Sequence, residues 1–178
     1  AAVGLNLLVG APMFDGSNAI NTGVAYLFAG GTGALLRTFD DPHPGPNNDF
    51  GVAVAVLGGN ILVGAPRDDT AGPNAGAVYL FDGVTGDLIL TFVNPDPTVD
   101  DHFGAAIATL GSDILVGAPS ATTAAGGVAY LISSTDGAVR TVFLNPSPAA
   151  GDDFGSTITA VGGSVLVGAP KHDTPAAP

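Results

Sequence analysis

The chain has 178 residues and a formal net charge of −12, from 4 Lys and Arg against 16 acids; every acid is Asp, and Glu, Gln and Cys are absent. With the straight-chain helix formers nearly missing and 27 Gly and 14 Pro present, a mainly helical protein is excluded. Four scattered cations (Arg37, Arg67, Arg140 and Lys171) cannot build the basic face a nucleic acid needs, and no apolar run approaches the ~18 residues of a spanning helix.

Read in chain order, one unit recurs. The opening, Val3-Gly4-Leu5-Asn6, aligns with Leu57-Gly58-Gly59-Asn60 further on, so the chain starts at the tail of a first strand, as a processed or excised piece would. Val-Gly-Ala-Pro then occurs at Val9–Pro12, Val63–Pro66, Val116–Pro119 and Val167–Pro170, placing its glycines at Gly10, Gly64, Gly117 and Gly168, in steps of 54, 53 and 51 residues. Phe-Gly sits at Phe50-Gly51, Phe103-Gly104 and Phe154-Gly155, and Gly-x-x-Tyr-Leu is centred on Tyr26, Tyr79 and Tyr130, both with steps of 53 and 51. Three markers keeping one period define a repeat array. Its units are 1–49, truncated at its start, then 50–102, 103–153 and a partial fourth, 154–178.

The second unit is the clearest to read. Val52–Leu57 alternates Val with Ala, the period of a strand packed on both faces. Gly58-Gly59-Asn60 reverses the chain, and Ile61–Ala65 is a second strand stopped by Pro66. The polar loop Arg67–Ala75 leads to a third strand, Gly76–Phe81; the turn Asp82–Gly86 leads to a fourth, Asp87–Val93, broken by Asn94-Pro95-Asp96-Pro97. A lone four-stranded meander cannot bury both faces, so units must stack, and radial stacking into β-propeller blades is the leading solution. The expectation is an all-β fold of about three and a quarter four-stranded units: thirteen strands and a stub, a partial propeller or one completed by other chains. The glycines of Val-Gly-Ala-Pro are assigned to close backbone approach in an inner strand near the axis, and the recurrent Phe to packing between blades.

These markers resemble the FG-GAP repeat family, the blades of integrin α-subunit head propellers and of many bacterial extracellular proteins. Phe50-Gly51, Val63-Gly64-Ala65-Pro66 and Gly76–Phe81 carry the likeness, and Phe81–Leu88 resembles the short bacterial version. The resemblance implies an extracellular or cell-surface role in adhesion, recognition or structure. Integrin-type repeats place an Asp-rich calcium loop between the Phe-Gly and Gly-Ala-Pro strands. Here that connection is Gly58-Gly59-Asn60, Gly111-Ser112-Asp113 or Gly162-Gly163-Ser164, too poor in oxygen ligands for calcium, so those sites are not carried over.

Other constellations are sparse. Asp68-Asp69 with Asn74 could offer oxygens to calcium, but the first unit has Asp15 and Asn18 there and the third no acid, and a repeated metal site would not skip a copy, so the leading reading is a solvated loop whose Asp and Asn bond their own backbone. Asn48-Asp49, Asp101-His102 and Asp152-Asp153 precede each Phe-Gly, either as Asx-type turns or as a rim of acids attracting cations or a basic partner. His43, His102 and His172 lack zinc-like spacing and read as exposed loop residues. Thr122-Thr123 are candidate sugar acceptors. No nucleophile elbow or phosphate-binding loop is present, so no catalytic, metal or cofactor residue is assigned. The expected function is a non-enzymatic extracellular scaffold or adhesion and protein-interaction module. The alternatives are a filament protomer, self-associating through open blade edges, and a fragment of a larger secreted hydrolase.

Overall fold

Branched and small residues alternate in short runs between Gly- and Pro-containing turns, and each run becomes one antiparallel strand. The computed structural model describes residues 1–16, 19–122 and 126–172. Within them lie fourteen strands and no helix. Blade 1 comprises β1 (Ala2–Val3), β2 (Asn6–Ala11), β3 (Val24–Phe28) and β4 (Leu35–Asp40); blade 2 comprises β5 (Ala53–Leu57), β6 (Asn60–Ala65), β7 (Ala77–Phe81) and β8 (Leu88–Val93). Blade 3 holds β9 (Ala106–Leu110), β10 (Asp113–Ala118), β11 (Val128–Ser133) and β12 (Val139–Leu144), and β13 (Thr157–Val161) pairs with β14 (Ser164–Gly168) to begin blade 4. Every sheet is a plain meander, so neighbours in sequence are neighbours in the sheet. Blade 2's strands fall within one residue of the bounds expected from sequence, and the two-residue β1 is the expected stub.

Turn chemistry sets the register. Leu57 pairs with Asn60, leaving Gly58-Gly59 as a two-residue hairpin loop with φ of +63° and +134°, a backbone that side-chain-bearing residues resist. At the opposite turn the Asp82 carboxylate accepts the N–H groups of Val84 (2.8 Å) and Thr85 (2.7 Å), which holds its pKa below the usual carboxylate range. The third and fourth strands slip register at one equivalent point in each complete blade, between Leu27/Phe28, Leu80/Phe81 and Leu131/Ile132. A bulge there increases the local twist.

The core lies between the blades. Ile61, Val63, Tyr79 and Phe81 of blade 2 pack towards blade 1 against Leu8, Leu27, Phe39 and Phe50. The intervening Leu62, Val78 and Leu80 pack towards blade 3 against Phe103, Ile114, Val116 and Tyr130. The five residues of β7 are therefore all buried. First strands β5, β9 and β13 touch across successive blades, whereas the fourth strands β4, β8 and β12 are largely exposed. The blades converge at their first strands and fan apart at their fourth, as propeller blades do.

Candidate functional site

The three repeat markers meet at the seam between consecutive blades. A Cβ built on Gly64 would lie 2.1 Å from the Gly104 carbonyl oxygen of the next blade; Gly10 stands in the same relation to Gly51 at 1.8 Å, and Gly117 to Gly155 at 1.9 Å. The Gly-x-x-Tyr-Leu glycines touch the accompanying Phe: Gly76 would place a Cβ 2.1 Å from the Phe103 oxygen. Backbone bonds cross the same junction, Phe50 N–H donating to the Thr22 carbonyl (3.1 Å) and Phe103 N–H to that of Ala75 (3.0 Å). The close approach expected at Gly-Ala-Pro is present, in the second strand of each blade. The first strand has already been passed when the chain reaches Gly64, and what Gly64 must admit is the next blade's entrance. Phe50 and Phe103 are fully buried there, Phe50 beside Tyr79 and Phe81, and Phe103 beside Tyr130.

Each linker into a seam carries one Asn and one Asp seven residues apart, bonded to each other. Asn94 donates to Asp101 (2.8 Å) and Asn145 to Asp152 (2.7 Å); in the first linker the order reverses, and Asn48 donates to Asp41 (2.8 Å). All six are buried. The carboxylate also gathers linker N–H groups, of Thr98 onto Asp101 and of Ala149 onto Asp152. This is the Asx-turn reading of the residues before Phe-Gly, extended by a side-chain partner that sequence reasoning missed. The signal was there in the seven-residue spacing of Asx residues in every linker.

The first seam adds a polar chain of its own. The Tyr79 hydroxyl donates to Asp68 (2.6 Å) and lies 3.1 Å from His43 Nδ1, while the His43 N–H donates to Asp41 (2.9 Å). Burial, joined by the Asp68 carboxylate, pushes the Tyr79 phenol far above its usual range. Burial likewise raises Asp41, with the Asp68 charge adding and hydrogen bonds from His43 and Asn48 opposing. At the third seam His172 bonds Asp152 (3.1 Å) and draws its pKa down.

The acids that the alternative reading would gather into a charged rim are largely committed locally. Asp49 pairs with Arg67 (3.0 Å) and Asp153 with Lys171 (2.8 Å), and at the equivalent place His102 meets the Ser120 hydroxyl (3.1 Å). Asp68 and Asp69 diverge. Asp68 turns inward to Tyr79 and the Thr70 N–H (2.7 Å), whereas Asp69 accepts the Asn74 N–H (2.8 Å). Asp15 accepts the Asn21 N–H (2.9 Å). Among the described residues no three His or Asp side chains gather as a metal-holding group. His43 and His172 are exposed as expected, but His102 is half-buried and its pKa is depressed by that burial. Asn18, Thr123 and the Pro/Ala-rich tail at 173–178 lie outside the described residues.

Residues 44–81 match the FG-GAP repeat family. The chain carries an FG-GAP repeat. The matched span runs from the first linker through β5, β6 and β7, and so includes Phe50-Gly51, Val63–Pro66 and Tyr79. Blade 3 repeats those FG-GAP markers on the same strands and the same seam contacts. Among curated proteins none matches the chain.

Proposed function

We propose that the protein is a non-enzymatic extracellular module whose stacked blades form a scaffold and whose loops and linkers recognise a protein partner. FG-GAP repeats are typical of extracellular and surface proteins and generally mediate protein interactions. The observation that carries the reading is a division within each unit. Glycines, Phe and backbone bonds at the seams are the same from blade to blade, while the loops they support differ: Arg67-Asp68-Asp69 answers to Ser120-Ala121-Thr122 on one rim. Invariant packing with variable loops is how a rigid array presents a binding surface. No helix among the described residues is long and apolar enough to cross a membrane.

Loop exchange tests this. A chimera with 67–75 replaced by 120–126 is expected to keep its folded β-sheet spectrum and to lose the partner recovered by crosslinking on intact producing cells. Retention of that partner, or labelling of the protein only after the cells are permeabilised, would overturn the proposal. Turnover of hydrolase substrates that Asp-to-Asn variants abolish would replace it with the enzyme reading. Self-association is a second reading, favoured by the outward face of blade 1: Leu7 and Val9 are exposed there, whereas their counterparts Ile61 and Val63 are fully buried. Sedimentation over a concentration series, before and after Val9→Asp, separates it from a monomeric scaffold.

A further inference from the structure

Tyr130 holds in the seam between blades 2 and 3 the place that Tyr79 holds between blades 1 and 2. The two differ at the hydroxyl. That of Tyr79 is taken up by Asp68 and His43. Ala121 stands where Asp68 does, Asp96 replaces His43 between the linker prolines, and the Tyr130 hydroxyl has no partner among the described residues although the residue is only 5% exposed. Tyr130 lines a cleft of about 270 Å³, walled by Val128 and by Val139, Val142 and Leu144 of β12 and edged by Pro95 and Asp96. The three β12 side chains are exposed. A seam that elsewhere supplies its own nitrogen, His43 Nδ1 at 3.1 Å from the tyrosine oxygen, here supplies none.

We infer that this cleft receives a lysine side chain of a protein partner, its methylene stem lying on Val139, Val142 and Leu144 and its ammonium between the Asp96 carboxylate and the Tyr130 oxygen. Apolar walls with a single acid at the mouth match the two ends of lysine, a long stem and a compact three-donor head. The surroundings favour a cation. Burial first, then the charges of Asp96 and Asp101, push the Tyr130 phenol up to about 12, the direction that two nearby carboxylates impose.

The site rests on the interaction-module reading, but a peptide titration probes the cleft alone, so its failure leaves the loop-exchange result standing. The pentapeptide acetyl-Gly-Gly-Lys-Gly-Gly-amide, titrated into isotope-labelled protein to concentrations on the order of 10 mM, should produce saturable shifts at Tyr130, Val142 and Leu144. Asp96→Asn and Tyr130→Phe should each weaken binding by about fivefold without moving the melting temperature, and the acetyl-lysine peptide should bind more weakly still. Absence of saturable shifts at those three residues, or equal affinity for the lysine and acetyl-lysine peptides, overturns the assignment.

Discussion

Gly64→Ala tests whether the seam is a backbone contact or merely a hydrophobic one. The added methyl would sit 2.1 Å from the Gly104 oxygen, inside the 3.0 Å below which Cβ contacts essentially do not occur, and in tight contact with Ile107 Cδ1 at 3.2 Å. The blades must therefore part by at least 0.9 Å at that point, the shortfall of 2.1 Å from that 3.0 Å limit. A gap of that size forfeits roughly a quarter to a half of each dispersion contact it interrupts. Neighbouring buried residues include Leu62, Val78, Phe103 and Val116, so the loss falls on the middle of the array. Overpacking of a tight core costs about 3 kcal/mol at its upper range, which for a chain of this length lowers the melting temperature by roughly 6–12 °C. Circular dichroism at 218 nm during a thermal ramp reads it directly, with Gly31→Ala as the control, since a Cβ there meets nothing within 4 Å. Gly64→Ala melting as Gly31→Ala does would mean that the blades do not meet at Gly64 and Gly104. Gly117→Val, facing the Gly155 oxygen at 1.9 Å, should be worse still.

The linker pair predicts a rescue. Asn48→Asp faces Asp41 with a second buried carboxylate and should cost about 3 kcal/mol at pH 7, while Asp41→Asn/Asn48→Asp, which copies the Asn94–Asp101 order, should recover most of it in a double-mutant cycle. The two tyrosines should part company in urea unfolding. Tyr79→Phe strips buried Asp68 of its hydroxyl donor and should lose about 2 kcal/mol, whereas Tyr130→Phe should stay within about 0.5 kcal/mol of the parent. His102 gives a pH signature. Its pKa is depressed below 6.5 in the fold, so the unfolded chain binds a proton that the folded one refuses, and stability falls as pH drops through that value. His102→Asn tolerates the same left-handed backbone (φ +58°) and should flatten the stability profile near pH 6; an unchanged slope would remove His102 from the account.

Repetition made the fold legible, because three markers with a common period specify strands, turns and stacking together. What periodicity does not carry is which strand faces which neighbour. Gly64 marks a close backbone approach, as small residues do, but the approaching group, the Gly104 oxygen, lies forty residues on, in the turn that enters the next blade. The Asx residues before each Phe-Gly leave two readings open in the same way. Asp49, Asp101 and Asp153 look like a rim of free acids in the sequence, and only tertiary contacts reveal Arg67, Asn94 and Lys171 beside them. Asp68 and Tyr79 are eleven residues apart with a loop between, and no local pattern announces that their side chains bond.

The reversal of Asp and Asn between the first linker and the next two bears on how such an array diversifies. A junction needs one donor amide, one acceptor carboxylate and left-handed turns beside them; it is indifferent to which residue supplies which. The same holds one position further along, where Asp49–Arg67, His102–Ser120 and Asp153–Lys171 satisfy one contact by different chemistries. Seam geometry is thus held by backbone and glycine, which cannot vary, while polar side chains at the junction change in compensating pairs. Where compensation is incomplete, a group is left over, as the Tyr130 hydroxyl is once Ala121 replaces the Asp68 type of partner. Leftover groups at otherwise identical seams are where a repeat scaffold can differ in what it binds without differing in how it folds.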